Sequence, residues 1–165
     1  MLIFKYFGEY LNSSADLEPK SIQNVVINGV ADNITLKEAA DGNNFYCPVA
    51  FTARRISYEH NYSMKSGYKE CRGWETIALP FDVTSIMSET GTYVVPRAAW
   101  SLGDTEQKPF FLYEWTANGW QVASAIKANI PYIISMPNND NYESQYQLKG
   151  NFEFVGNNVQ VLPSV

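Results

Sequence analysis

The sequence predicts an all-β domain, an antiparallel β-sandwich or distorted barrel of about ten short strands. Val and Ile together number 23 against 9 Leu, and 24 of the 165 residues are aromatic, a composition typical of strands. The chain also carries 15 Asn, 10 Gly and 8 Pro. These residues supply the left-handed and kinked backbone that closely spaced turns require.

Alternating apolar and polar residues place the strands along the chain. Besides one hairpin over 110–126, strands are predicted at residues 2–7, 23–27, 45–51, 55–62, 74–83, 91–95, 131–136, 146–148 and 151–155. Residues 35–40 and 82–88 are each expected to hold a helical turn. Since no long segment of helical period separates the strands, parallel βαβ units are not expected.

Two strands carry specific expectations. Pro80 has no amide hydrogen to donate, so the strand at 74–83 must lie at a sheet edge, contain a bulge, or break at Leu79–Pro80. The dipeptide Asn118-Gly119 predicts a type I′ hairpin turn, with Ala117 paired to Trp120. In that register one face is expected to pack into the core and the face with Glu114 to be solvated. The expected core face carries Phe111, Tyr113, Trp115, Trp120, Val122 and Ile126.

The whole chain, residues 1–165, is predicted to form a single β domain. Residues 12–20 and 136–145 are polar and rich in turn formers, and both are candidate boundaries. Residues 1–20 have the alternative interpretation of a strand and linker from a preceding module. The C-terminus has the alternative interpretation of a truncated module end.

Charge and motifs exclude several function classes. The net charge of −5 argues against a nucleic-acid partner, and no apolar run has the length for membrane insertion. Phosphate-binding and dinucleotide glycine motifs are absent, so no cofactor is expected. Residues 1–11 lack the pattern of a signal peptide.

Catalytic chemistry has few candidates. His60 is the single histidine of the chain and could act as the base that activates a Ser or Cys nucleophile. No GxSxG motif accompanies it. A strand-end histidine without catalytic role is the favoured interpretation. Glu75 and Glu114 lie beside tryptophans and could act as acids in a groove, although glutamate on a solvated strand face is the commoner case.

Two further sites are considered. Cys47 and Cys71 lie 24 residues apart without CxxC spacing, which leaves a disulfide or reduced, buried thiols as alternatives. Oxygen ligands for a calcium ion are concentrated in one loop, whose alternative interpretation is an Asn-rich turn. That loop contains Asn138, Asn139, Asp140, Asn141 and Glu143.

The aromatic residues divide into two groups. Trp115 and Trp120 fall on sheet positions and are expected in the core. Trp100, Tyr142 and Tyr146 lie in polar surroundings and are candidate ligand contacts, since exposed rings stack on sugar faces. Carbohydrate binding would require at least two exposed, coplanar Trp or Tyr rings within about 10 Å.

Three segments carry a resemblance to a known family. GWETIALPFDVTSI at 73–86, IKANIPYIISMP at 126–137 and FTARRISYEHNY at 51–62 resemble a β-rich module of surface and secreted proteins from gut Bacteroidetes. The shared patterns are W-x-T-x-x-LPF, A-x-x-PY-I-I and FTA-x-x-x-x-Y-x-R. His60 departs from the last pattern, which usually has arginine there. The resemblance covers residues 32–156.

This resemblance implies export and display on a bacterial cell surface beside other modules, and assigns no activity to particular residues. We therefore expect a non-enzymatic extracellular module for adhesion, or for spacing and display of neighbouring domains. Its partners would be neighbouring modules, a glycan or a host protein. A carbohydrate-binding module is the first alternative, and a secreted hydrolase the second.

Overall fold

A computed structural model describes residues 2–3, 24–37, 45, 47–62, 73–138 and 142–163. The fold is all-β, as predicted. The strands are β1 (Leu2–Ile3), β2 (Val25–Val26), β3 (Val30–Lys37), β4 (Phe51–Asn61), β5 (Trp74–Ile77), β6 (Ser85–Ser88), β7 (Tyr93–Pro96), β8 (Gln107–Thr116), β9 (Gly119–Val122), β10 (Tyr132–Ser135) and β11 (Asn151–Val161). Among the described residues, a 3₁₀ turn spans Ser144–Tyr146.

Most strands belong to one curled sheet that forms a half-barrel. Its strand order is β3-β4-β11-β6-β7-β8-β10-β5, with β9 also paired to β8, while β1 and β2 form a separate ladder. Two neighbouring pairs, β3 with β4 and β7 with β8, are parallel, and the other pairs are antiparallel. The chain therefore combines the predicted antiparallel pairing with two parallel crossovers.

Most predicted strands are present with altered bounds. Two strands, β3 and β6, were not predicted. Each occupies part of a segment that was expected to form a helical turn. Both are held by partners far away in the sequence: β3 pairs with β4, and β6 lies between β11 and β7. The strand predicted at 146–148 is wrong, since a 3₁₀ turn ends there. The strand predicted at 45–51 is also wrong over its described residues, since only its last residue, Phe51, belongs to a strand. The predicted residues 4–7, 12–20 and 38–40 lie outside the described residues.

Strand β5 confirms the expectation derived from Pro80. It ends at Ile77, before Leu79–Pro80, and it is the last strand of the sheet. Its only sheet partner among the described strands is β10. The expected continuation of this strand to residue 83 is wrong.

The predicted hairpin forms, but its turn and its packed face differ from the prediction. Thr116 pairs with Gly119, so the register moves by two residues. Gly119 has φ +85° and Asn118 is not among the residues with positive φ, which excludes the type I′ turn. The Thr116 hydroxyl accepts a hydrogen bond from the Asn118 amide and donates one to the Gly119 carbonyl.

The core lies on the inner face of the curled sheet. On β8 the buried residues are Phe110 and Leu112. Across the sheet, Gly156 of β11 brings its backbone close to the core, because a Cβ there would lie 2.6 Å from the Phe81 ring. The largest completely buried side chains include Tyr62, Phe81, Phe110, Phe152, Phe154, Ile56, Leu112 and Ile126.

Two polar contacts join strands that are far apart in the sheet order. Nε2 of His60 on β4 lies 2.7 Å from Oε2 of Glu75 on β5, although five strands separate β4 from β5 along the sheet. The buried Asn138 side chain, which follows β10, donates to the Tyr62 carbonyl at 2.7 Å. We call this junction the seam. It joins β4, the second strand from one end of the half-barrel, to the opposite end formed by β5 and β10.

A separate pair of polar contacts fixes the segment between β5 and β6. The Asp82 carboxylate accepts hydrogen bonds from Lys127 Nζ at 2.8 Å and from the Ala128 amide at 2.9 Å. These bonds, the lysine's first, lower the pKa of Asp82 below its usual value. Asp82 therefore connects this segment to the chain that leads into β10.

Candidate functional site

The outer face of the sheet carries a continuous row of aromatic side chains over β5, β8 and β9. We call it the aromatic face and define it as Trp74, Phe111, Tyr113, Trp115 and Trp120. The register explains the row: Trp74 and Phe111 both pair with one residue of β10, and Trp115 pairs with Trp120. Ring centroids lie 5.6 Å apart for Trp74 and Tyr113, and 5.1 Å apart for Trp115 and Trp120.

The expectation that Trp115 and Trp120 belong to the core is wrong. Their residues are 64% and 48% exposed. The physical reason lies in β8, whose two faces are both apolar, so that alternation alone does not select the inner one. Leu112 pairs with the buried Ile134 of β10, and this contact places Phe110 and Leu112 inside. The aromatic face is left on the outside, and Glu114 is half-buried.

Over β4 and β11 the same outer face is polar, and we call this part the polar half. On β4 and β11 it presents an Arg55–Glu153 ion pair, the exposed Glu59, and a hydrogen bond between the side chains of Asn61 and Asn151. One face of one sheet is thus divided into a polar half and an aromatic half. The polar half has the charged and amide side chains that are usual on a surface in contact with water. The exposure of aromatic side chains on the other half therefore needs a separate explanation.

A pocket of about 270 Å³ opens beside the aromatic face. The three candidate ligand contacts, Trp100, Tyr142 and Tyr146, all line it. They come from two separate segments, the connection between β7 and β8 and the segment that follows β10. We call this cavity the aromatic pocket. Its other lining residues are Arg97, Leu102, Pro109, Phe110, Phe111 and Pro137.

Hydrogen bonds and ring contacts hold the pocket walls. The Trp100 indole N–H donates to the Gln107 carbonyl at 3.1 Å, and the Tyr142 carbonyl accepts from the Gln147 side chain at 2.9 Å. The Tyr142 ring lies 6.3 Å from that of Phe111. Phe111 therefore belongs to both the aromatic pocket and the aromatic face, which makes the two surfaces continuous.

Arg97 supplies the one charge in the lining of this pocket. Its guanidinium carbon lies 4.9 Å from the centroid of the Trp100 ring, within the range of a cation–π interaction. Within the described ranges, Arg97 forms no ion pair with a carboxylate. Sequence reasoning missed this residue, although its position three residues before Trp100 in a turn was a usable signal.

His60, the candidate general base, lies at the seam. Its Nε2 faces Glu75 at 2.7 Å, its Nδ1 lies 3.4 Å from the Tyr58 hydroxyl, and its ring packs edge-on against Tyr62 at 4.5 Å. The contact with Glu75 connects β4, which lies next to one end of the sheet, with β5 at the other end. The other candidate acid, Glu114, belongs to β8 and is half-buried.

The remaining candidates are described in part. The buried Cys47 thiol donates to the Val49 carbonyl at 3.1 Å, and burial raises its pKa. Cys71, its proposed disulfide partner, lies outside the described residues. In the calcium loop Asn138 is buried at the seam, while residues 139–141 lie outside the described residues. No cluster of three or more His, Cys, Asp or Glu suited to a metal ion occurs in the described part of the chain.

Comparison with known proteins gives no match to a family model, a curated protein or a solved structure. In the part of the chain that the structure covers, no helix is long and apolar enough to span a membrane. The candidate site therefore depends on the geometry of the aromatic face and the aromatic pocket.

Proposed function

We propose that this chain is a non-enzymatic adhesion module of a secreted or surface protein of a gut bacterium, and that the aromatic face with the aromatic pocket is its contact surface. The observation that carries the proposal is the exposure of tryptophan. None of the four tryptophans is buried, and two belong to the outer face of a hairpin.

Exposed aromatic rings favour binding over simple display. Trp and Tyr are enriched among the residues that dominate binding energies at interfaces, whereas a spacer gains nothing from leaving them in water. The polar half of the same outer face supports this interpretation, because the chain places charged and amide side chains there. The aromatic half is then a surface that a partner covers.

Binding to immobilised intestinal mucin tests the proposal. We expect purified wild-type protein to bind, and the double variant Trp115→Ser/Trp120→Ser to lose at least tenfold in affinity, about 1.4 kcal/mol. The matched control is Val49→Ser/Leu162→Ser, which removes two exposed apolar side chains elsewhere and should bind as wild type. Absent wild-type binding to mucin and to intact epithelial cells would contradict adhesion. Equal binding by the tryptophan double variant would contradict the assigned surface.

Carbohydrate binding is the second candidate, supported by the exposed Trp115 and Trp120. Sugar rings stack best on open, flat platforms, whereas these two rings meet at 72°. The exposure of the two rings therefore agrees with carbohydrate binding. The angle between them does not, because we expected such a site to have coplanar rings. Chemically deglycosylated mucin separates the candidates: a glycan-binding module would lose this target, and a protein-binding module would keep it.

A further inference from the structure

The aromatic pocket has the size of a site for a single ring. Sites that enclose a drug-sized ligand usually have about 300–1,000 Å³, whereas this pocket has about 270 Å³. An oligosaccharide would extend beyond it. It has room for one aromatic side chain of a partner.

The lining favours an apolar occupant. Phe111, Pro109, Pro137 and Leu102 contribute hydrocarbon surface, and the polar edge of Trp100 is already used, since its N–H donates to a backbone carbonyl. The hydroxyls of a neutral sugar would lose water there and gain few hydrogen-bond partners, which is costly. The hydrocarbon part of a Trp, Tyr or Phe ring would lose only unfavourable hydration, and Trp or Tyr would bring just one polar group that needs a hydrogen-bond partner.

One charge stands beside this apolar cavity. The Arg97 guanidinium lies over the Trp100 ring, and stacking of this kind leaves the N–H groups at the guanidinium edge able to bind a carboxylate. One of the two acidic side chains of the same connection, Asp104, accepts hydrogen bonds from the amides of Glu106 and Gln107, and within the described residues neither forms an ion pair with Arg97. Arg97 is thus placed to receive an acid from outside.

We propose that the aromatic pocket anchors a protein ligand by taking in one aromatic side chain, and that Arg97 pairs with a carboxylate adjacent to that side chain. This inference rests on the proposed adhesive function and specifies its ligand. An aromatic anchor in a pocket, surrounded by weaker contacts, is a common arrangement at protein interfaces. The aromatic face would supply the surrounding contacts.

Two small probes that differ by one charge test the anchor directly. N-acetyl-tryptophan carries a carboxylate, and N-acetyl-tryptophanamide is its neutral counterpart. Each is titrated into ¹⁵N-labelled protein, and amide shifts are followed at Arg97, Leu102 and Tyr142 together with the Trp100 indole signal. We expect both probes to shift these signals, and the acid to bind about three- to fivefold more tightly, the effect of an exposed ion pair.

Three variants separate charge from shape. Arg97→Gln should remove the preference for the acid, so that the acid and the amide bind this variant with equal affinity. Leu102→Ser removes a wall residue that is 88% exposed, so folding should be unaffected, and it should weaken both probes about fourfold, the effect of one buried methylene. Arg54→Gln, which removes the same charge from the paired Arg54 on β4, should preserve the preference for the acid.

Each outcome decides the inference. Equal affinity for acid and amide, or an unchanged preference in Arg97→Gln, would remove Arg97 from the site. If glucuronate shifts the pocket signals and N-acetyl-tryptophan does not, the ligand is an acidic sugar and the proposed protein ligand is wrong. No shift with any probe would overturn the anchor, and retained mucin binding through Trp115 and Trp120 would then show that the adhesive function survives without it.

Discussion

Replacing Trp115 with alanine tests which face of β8 packs against the core. Trp115 is 64% exposed, so only about a third of its 150–250 Å² of side-chain surface is buried. At about 25 cal/mol per Å² this area is worth about 1–2 kcal/mol, an upper value because unfolded chains already bury some surface. We therefore expect Trp115→Ala to reduce the free energy of unfolding by no more than about 2 kcal/mol.

The control for this variant lies on the same strand and the opposite face. Phe110 is completely buried, and truncation of such a phenylalanine typically costs about 3–5 kcal/mol. Urea denaturation followed by far-ultraviolet circular dichroism gives both values, with the slope m checked for a common unfolded state. A Trp115→Ala variant as unstable as Phe110→Ala would show that the outer face is packed, and would remove the basis of the aromatic face.

Three further outcomes are expected. Asp82→Asn should reduce the loss of stability at acid pH. The folded state lowers the pKa of Asp82 from 3.8, so the stabilisation from its carboxylate is complete above that pH and is lost as the pH falls further. Urea midpoints of the variant and the wild type at pH 7 and pH 3 measure this difference. Gly156→Ala should cost about 1–3 kcal/mol in thermal unfolding, since its methyl group would meet an aromatic ring of the core; a neutral result would show that β11 can shift. A double-mutant cycle of His60→Ala and Glu75→Ala should give a coupling of about 1–2 kcal/mol at neutral pH, and zero coupling would mean that this pair does not stabilise the seam.

The strand content of this fold could be predicted from local patterns, whereas the inner and outer faces could not. On β8, Phe110 and Leu112 alternate with Phe111, Tyr113 and Trp115, so either face could have been the core. The choice depends on pairing with β10, about twenty residues further along the chain. Left-handed turns were easier to anticipate: Asn24, Asn28, Asn129 and Asn158 all adopt positive φ, the role expected for the abundant asparagine.

The pocket shows the same division between local and long-range information. Trp100, Tyr142 and Tyr146 were selected because aromatic residues in polar surroundings are candidates for contact with a ligand. Their convergence depends on the antiparallel pairing of β8 with β10, which aligns Ser135 with Phe111 and directs the following segment toward the connection after β7. No local sequence pattern predicts that alignment of β8 with β10.

The strand motifs that carry the family resemblance have a structural role here. The segments 74–81 and 128–134 become neighbours, since β5 pairs with β10 and the Asn129 amide donates to the Leu79 carbonyl at 2.7 Å. Leu79, Phe81, Tyr132 and Ile134 are all buried. In this chain the two motifs specify how the sheet ends at the seam. The aromatic pocket draws its candidate contacts from 97–102 and 142–146, outside both motifs, so a chain that shares the motifs should share this framework even where its pocket residues differ.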